Sequence, residues 1–397
     1  MELIQIENTF VKNILPYNSI NNTVYFNIKS IMKNQIIKFG ILTNIILIIV
    51  SCSPNTDDII APADKNLDLY TEVLTNIGQN VISETLKDFS FETKALKITS
   101  DNLVIGDNAS LTALKNAWLA ARVPWEKSES FAFGPVLTDG AIGVIDVAVD
   151  SWPVNINSIN AILASSATID TNLLNRNNEA RGFHTIELLA WGLFGNKNAN
   201  DLTAREILYL KATCADLAFR AENLYKNWLS TQDNFVANII NAGQKNSPIY
   251  TTQKSAFIEL VDGTVGVAIE VATSKIENAL NGGIGGVANP NLDESQYSRS
   301  TKSDLLNNMR GVQNIYLGDY NNLDGKGLTD LVRTRKPDLD NLVKTKITES
   351  IAAINAISGS FATAIFNERI AVANAQTKVA ELQALLDADV RDLISNL

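Results

Sequence analysis

Leu111-Thr112-Ala113-Leu114-Lys115-Asn116-Ala117-Trp118-Leu119-Ala120-Ala121 spaces Leu111, Leu114, Trp118 and Ala121 by three, four and three residues. That interval returns a side chain to the same face of an α-helix, so the stretch reads as one amphipathic helix with an apolar stripe. Upstream, Leu67, Leu74, Ile77 and Val81 keep the same rhythm. Downstream, helices are expected over Leu202–Leu229, Phe257–Leu280, Leu305–Tyr316, Leu339–Ile357 and Ile370–Leu393. Alternation of apolar and polar residues is scarce. Ile142–Val149 is the one candidate strand, and its alanine content weakens that reading. The expected fold class is all-α, with two domains that each resemble a four-helix bundle.

The 397 residues are 46% apolar and 19% charged, enough apolar material for packed cores. The net charge is −10, and the largest basic cluster is Arg333-Thr334-Arg335-Lys336, which argues against a nucleic-acid partner. The chain has one histidine, His184. Zinc sites built on HExxH or three histidines, and two-histidine facial triads, need more than that.

Phe39–Val50 is a twelve-residue, mostly apolar run with Lys33 and Lys38 before it and Ser51-Cys52-Ser53 after it. A basic flank, a short apolar core and small residues at the cut describe an export signal. Its length of about 18 Å is short of the ~30 Å hydrocarbon core. Ile49-Val50-Ser51-Cys52 resembles a lipobox, so Cys52 is the expected lipidated residue and a lipid anchor the expected membrane attachment. Residues 1–31 show no period and read as an untranslated or disordered prefix, with translation expected from Met32. Residues 32–51 are then the signal, 52–63 a tether, 64–231 an N-terminal bundle and 232–397 a C-terminal one. With Cys52 lipidated, Cys214 has no disulfide partner and reads as a small buried apolar residue.

The chemistry centres on Asn177-Asn178-Glu179-Ala180-Arg181-Gly182-Phe183-His184-Thr185-Ile186-Glu187, which continues through Leu188 to Gly192. This reads as a buried helix opening near Asn177 and closing at Gly192, with His184 and Glu187 three apart on one face. Gly182 leaves room for another group to approach. Glu126 and Glu129 repeat the spacing, with Arg122 one turn upstream. Two such segments facing one cleft would give three carboxylates and an imidazole, a set suited to iron or zinc. The ordinary alternatives are a hydrogen-bonded His184–Glu187 pair, and a solvated face on which Glu126 and Glu129 pair with Arg122 and Lys127. Asn281–Asn291 is a Gly-rich linker, and Asp319–Gly325 lacks the ligand register of a calcium loop.

Gly182-Phe183-His184-Thr185-Ile186-Glu187 resembles the GxHxxE signature of the imelysin family. Trp118, Arg122, Pro124, Glu129, Phe131 and Phe133-Gly134-Pro135 match a second family segment. Ser303-Asp304-Leu305 through Gly311 and Tyr316-Leu317-Gly318 match a third. The resemblance spans residues 64–397. It implies two helical bundles with pseudo-twofold similarity, in an exported and often lipid-anchored protein linked to iron acquisition. One branch of the family is named for an insulin-cleaving outer-membrane protease; another resembles a metal-binding component of iron import. The expectation for this chain is a lipid-anchored envelope protein of the outer membrane, binding a divalent or ferric ion, iron or zinc, through His184, Glu187, Glu129 and Glu126. Outer-membrane iron or haem transport components are the expected partners. The alternatives are a metal-dependent peptidase with His184 and Glu187 catalytic, and a metal-free partner-binding envelope protein.

Overall fold

The computed structural model describes residues 67–397 except 138, 141–142, 230–232 and 246, and except the side chains of 139, 140, 143, 144 and 284. Eight helices carry the architecture: α1 (Glu84–Asp101), α2 (Asn108–Ser128), α3 (Gly182–Trp191), α4 (Ala204–Trp228), α5 (Gln253–Glu270), α6 (Thr301–Leu317), α7 (Pro337–Asn355) and α8 (Arg369–Leu385). Other helices, Leu67–Asn76 among them, and turns join or flank them. Strand is confined, among the described residues, to an antiparallel ladder of Asp139–Gly140 with Gly143–Val144 and one bridge between Tyr320 and Leu323. The fold is all-α.

Helices α1–α4 pack in a closed ring, each against the next and α4 back on α1, and α5–α8 repeat the arrangement. The rings lie in one compact unit and meet mainly where α2 crosses α6 and where the turn Glu129–Phe131 lies on α5. Gly311 makes the first crossing close, because a Cβ there would stand 2.3 Å from the Lys127 carbonyl oxygen. The chain passes from the first ring to the second between α4 and α5 within that one unit; Thr231 and Gln232, at the expected domain boundary, lie outside the described residues, as do the prefix, the signal and Cys52. No helix among the described residues is long and apolar enough to cross a membrane.

Local sequence explains the helix ends. The Asp107 carboxylate accepts from the Ala109 N–H at the start of α2, and Thr203 with Glu206 forms a capping box at the start of α4. Periodicity, however, does not reveal where a helix loosens. The helix expected from Phe257 to Leu280 is α5, then a π-helical turn Val271–Ile276, then Glu277–Asn281. A second π-helical turn, Leu386–Val390, divides the expected Ile370–Leu393 helix. Ile142 lies outside the described residues; of the rest of the strand expected over Ile142–Val149, Gly143–Val144 pairs and Ile145–Val149 is helical. Cys214 is fully buried, and burial pushes its thiol up to about 12, which makes it inert as a nucleophile at neutral pH.

Candidate metal centre

The helix carrying His184 begins at Gly182, later than the sequence suggests; Asn178–Ala180 form a separate turn before it. Gly182 has φ +75°, and a Cβ on it would stand 2.3 Å from the Val149 carbonyl oxygen and 2.8 Å from that of Ala148. A glycine is therefore required for α3 to start against residues 148–149, and this close approach places Asp150 beside the imidazole. The Trp118 indole N–H donates to the Phe183 carbonyl at 2.9 Å, tying α2 to the same turn.

His184 is 1% exposed and lies between two carboxylates. Its Nε2 is 3.0 Å from Asp150 Oδ1, and its Nδ1 is 2.9 Å from Glu187 Oε2. Burial alone would lower the imidazole, but the Asp150 charge and the hydrogen bonds to Asp150 and Glu187 outweigh it and push the ring up to about 10. Glu187 Oε1 accepts from the Tyr297 N–H at 3.1 Å, the Ser298 N–H at 2.7 Å and the Ser298 hydroxyl at 2.7 Å. Both Glu187 oxygens are thus engaged, and the residue orients the ring from behind.

Asp150 is the hub of the cluster. Arg122 donates to both its oxygens, at 2.7 and 2.9 Å, and the Trp125 indole N–H donates to Oδ2 at 2.6 Å. Burial would raise this carboxyl, but Arg122 and His184 together hold it well below the usual range. Arg122 also pairs with Glu126, with Glu294 at 3.3 Å and with Asp304 at 3.6 Å. Lys275, from the π-helical turn after α5, reaches Glu126, Glu129 and Glu294 at 3.2, 2.8 and 3.1 Å. The Asn308 amide on α6 donates to Glu126 and Glu129. Burial pushes Glu126 and Glu129 upward, Asp304 to about 8 and Asp293 to about 7.

Two triads could hold a cation. Asp150, His184 and Glu294 present ligand atoms within 4.8 Å of one another, and so do Glu126, Glu129 and Asp150. Of the residues expected from sequence, His184 falls in the first triad and Glu126 and Glu129 in the second, Glu187 falls in neither, and the two triads are joined only through Asp150. Glu129 enters its triad from the turn beyond the end of α2 rather than from the helix itself. The solvated-face alternative for the two glutamates does not hold for Glu126, which is fully buried, although its pairing with Arg122 is real. Asp150, Glu294, Lys275 and Asn308 were not found from sequence. Asp150 sits in the irregular connection before Trp152-Pro153 and Glu294 in the loop after the Gly-rich linker, where no period marks a functional residue. Asp304 lies in the third family segment and could have been found there.

Fold and site together define an all-α protein of two helical rings with a buried histidine–carboxylate centre between them. The family profile described as imelysin, peptidase M75, matches residues 82–390, and the chain belongs to the imelysin family. Iron-regulated protein A of Synechococcus elongatus is 30% identical over 291 residues, covering 72% of this chain and 76% of that protein. A crystal structure described as an iron-regulated protein A precursor, from Parabacteroides distasonis, superposes with a TM-score of 0.73 at 25% identity, covering 84% of this chain and 97% of that one. An imelysin-like protein from Psychrobacter arcticum has the same fold, with a TM-score of 0.61 at 14% identity, covering 79% of this chain and 92% of the other.

Proposed function

We propose that this chain binds a transition-metal ion, iron by preference, at His184, Asp150 and Glu294, and serves iron acquisition in the cell envelope. The observation that carries the reading is the triad itself: one imidazole and two carboxylates with ligand atoms within 4.8 Å, drawn from three separate segments. A mixed nitrogen and oxygen set suits iron, manganese or zinc. Glu294 Oε2 is buried without a hydrogen-bond partner, so a donor is available to an ion. Glu187 fixes the ring through Nδ1, and Nε2 faces Asp150 Oδ1 at 3.0 Å, so an ion entering between them takes the place of the proton that the two now share. The likeness to iron-regulated protein A supports a connection with iron.

The burial of the site favours binding over proteolysis. A peptide bond cannot be presented to a ring that is 1% exposed without opening the rings, whereas a single ion needs no cleft for a bulky substrate. Attachment through lipidated Cys52, on either face of the outer membrane, and delivery to iron or haem transport components complete the proposal. Mass spectrometry of membrane-derived protein should find diacylated Cys52 as the first residue, and Cys52→Ser should release the protein from membranes.

Calorimetric titration of the wild type, His184→Ala and Glu187→Gln with ferrous, ferric and zinc ions tests the site. Binding is expected to be lost in His184→Ala and weakened about 10–100-fold in Glu187→Gln, the usual effect of removing an orienting carboxylate. Equal affinity in all three would exclude the site. Insulin or casein cleavage by the wild type that disappears in His184→Ala would make the protein a peptidase instead.

A further inference from the structure

The second triad, Glu126, Glu129 and Asp150, shares Asp150 with the proposed metal triad. Two triads sharing a carboxylate would form a two-ion centre if both were loaded. Two members of the second, Glu126 and Glu129, already face an ammonium, which also reaches Glu294 of the first. The Lys275 side chain is 6% exposed, and its Nζ stands 3.2 Å from Glu126, 2.8 Å from Glu129 and 3.1 Å from Glu294. Its ammonium donates hydrogen bonds to Glu126 and Glu129 and forms an ion pair with Glu294. The chain directs Lys275 inward from Val271–Ile276, a π-helical turn, the kind of irregularity that re-aims side chains and recurs at functional sites.

We infer that Lys275 is a built-in substitute for a second metal ion: its ammonium fills the cation position between Glu126 and Glu129 and holds the centre to one ion. This rests on the metal-binding reading for the first ion but concerns a different position. The ammonium supplies one positive charge where a divalent ion would supply two, leaving the first ion the more strongly attracted. Asn308, which donates to both glutamates, keeps them paired around the ammonium.

The test is metal stoichiometry, measured on the full chain with zinc ion by equilibrium dialysis and elemental analysis. Wild type should bind one zinc per chain and Lys275→Met two, with Lys275→Met/Glu129→Gln returning to one. One zinc in both the wild type and Lys275→Met would overturn the inference and leave the first site standing. No zinc in the wild type but one in Lys275→Met would uphold the inference and sink the proposed function; none in either would sink both. If Lys275→Met unfolds because its carboxylates have lost their counter-ion, zinc should restore its helical circular dichroism and raise its melting temperature more than it does for the wild type. Failure of zinc to restore the fold would also overturn the inference.

Discussion

His184 is clamped by Asp150 at Nε2 and Glu187 at Nδ1, and that clamp requires a residue without a side chain two positions earlier. Gly182→Ala would set a Cβ against the Val149 carbonyl in a backbone conformation that L-residues disfavour. The expected cost is about 2–4 kcal/mol, with weaker metal binding because Asp150 shifts with its strand of backbone. Urea unfolding and calorimetric titration would check it; an unchanged midpoint would show that the crossing can relax. Arg181, just before, is fixed by a separate buried group: Asp216 lies 3.7 Å from Arg181 and 3.0 Å from Arg220, and Asn175 accepts from both arginines. Asp216→Asn would remove the carboxylate charge that the two buried guanidinium groups share. A loss of about 3–5 kcal/mol is expected from urea unfolding.

At the scale of elements, the centre depends on how closely α2 and α6 approach. Lys127, whose carbonyl Gly311 faces, is flanked by Glu126 and Ser128, so any separation of these helices acts directly on the carboxylates. Gly311→Ala is expected to cost about 2–4 kcal/mol by overpacking and to weaken metal binding at the same time. Circular dichroism should show intact helices, because the substitution favours helix locally. A variant that loses stability but keeps full affinity would show that the rings can part without disturbing the site. Helical periodicity made α2 and α6 legible in advance. It could not show the crossing, which depends on which face of one helix meets which face of another.

For the whole molecule, the buried titrating groups predict an unusual dependence of stability on pH. His184 is raised from its ordinary 6.5 to about 10, so its contribution is fully present below about 6.5 and is lost as pH rises through about 10. Asp304 and Asp293 are raised by burial to about 8 and about 7, so folding is favoured below their unfolded values near 4 and progressively less up to those pH values. Asp150 is depressed, so its contribution is present above about 4 and is lost as pH falls further. The metal-free protein should therefore be most stable near pH 4–6 and weaken steadily toward pH 10. Melting temperatures across that range would check this, and a maximum above pH 8 would contradict it. His184→Gln should flatten the alkaline limb.

The sequence by itself determined the helical class, because the three-and-four spacing of apolar residues is a local property that survives without knowledge of neighbours. It also determined the His184–Glu187 pair and the Glu126–Glu129 pair, since members three residues apart meet within one turn of backbone. Tertiary structure alone decided what surrounds them. Lys275 is 149 residues from Glu126, and Glu294 is 172 from Arg122, so nothing local ties either to the site. Only the packing of the two rings brings these segments together. That packing also settles which carboxylates face an arginine or a lysine, and leaves Glu294 Oε2 without a partner.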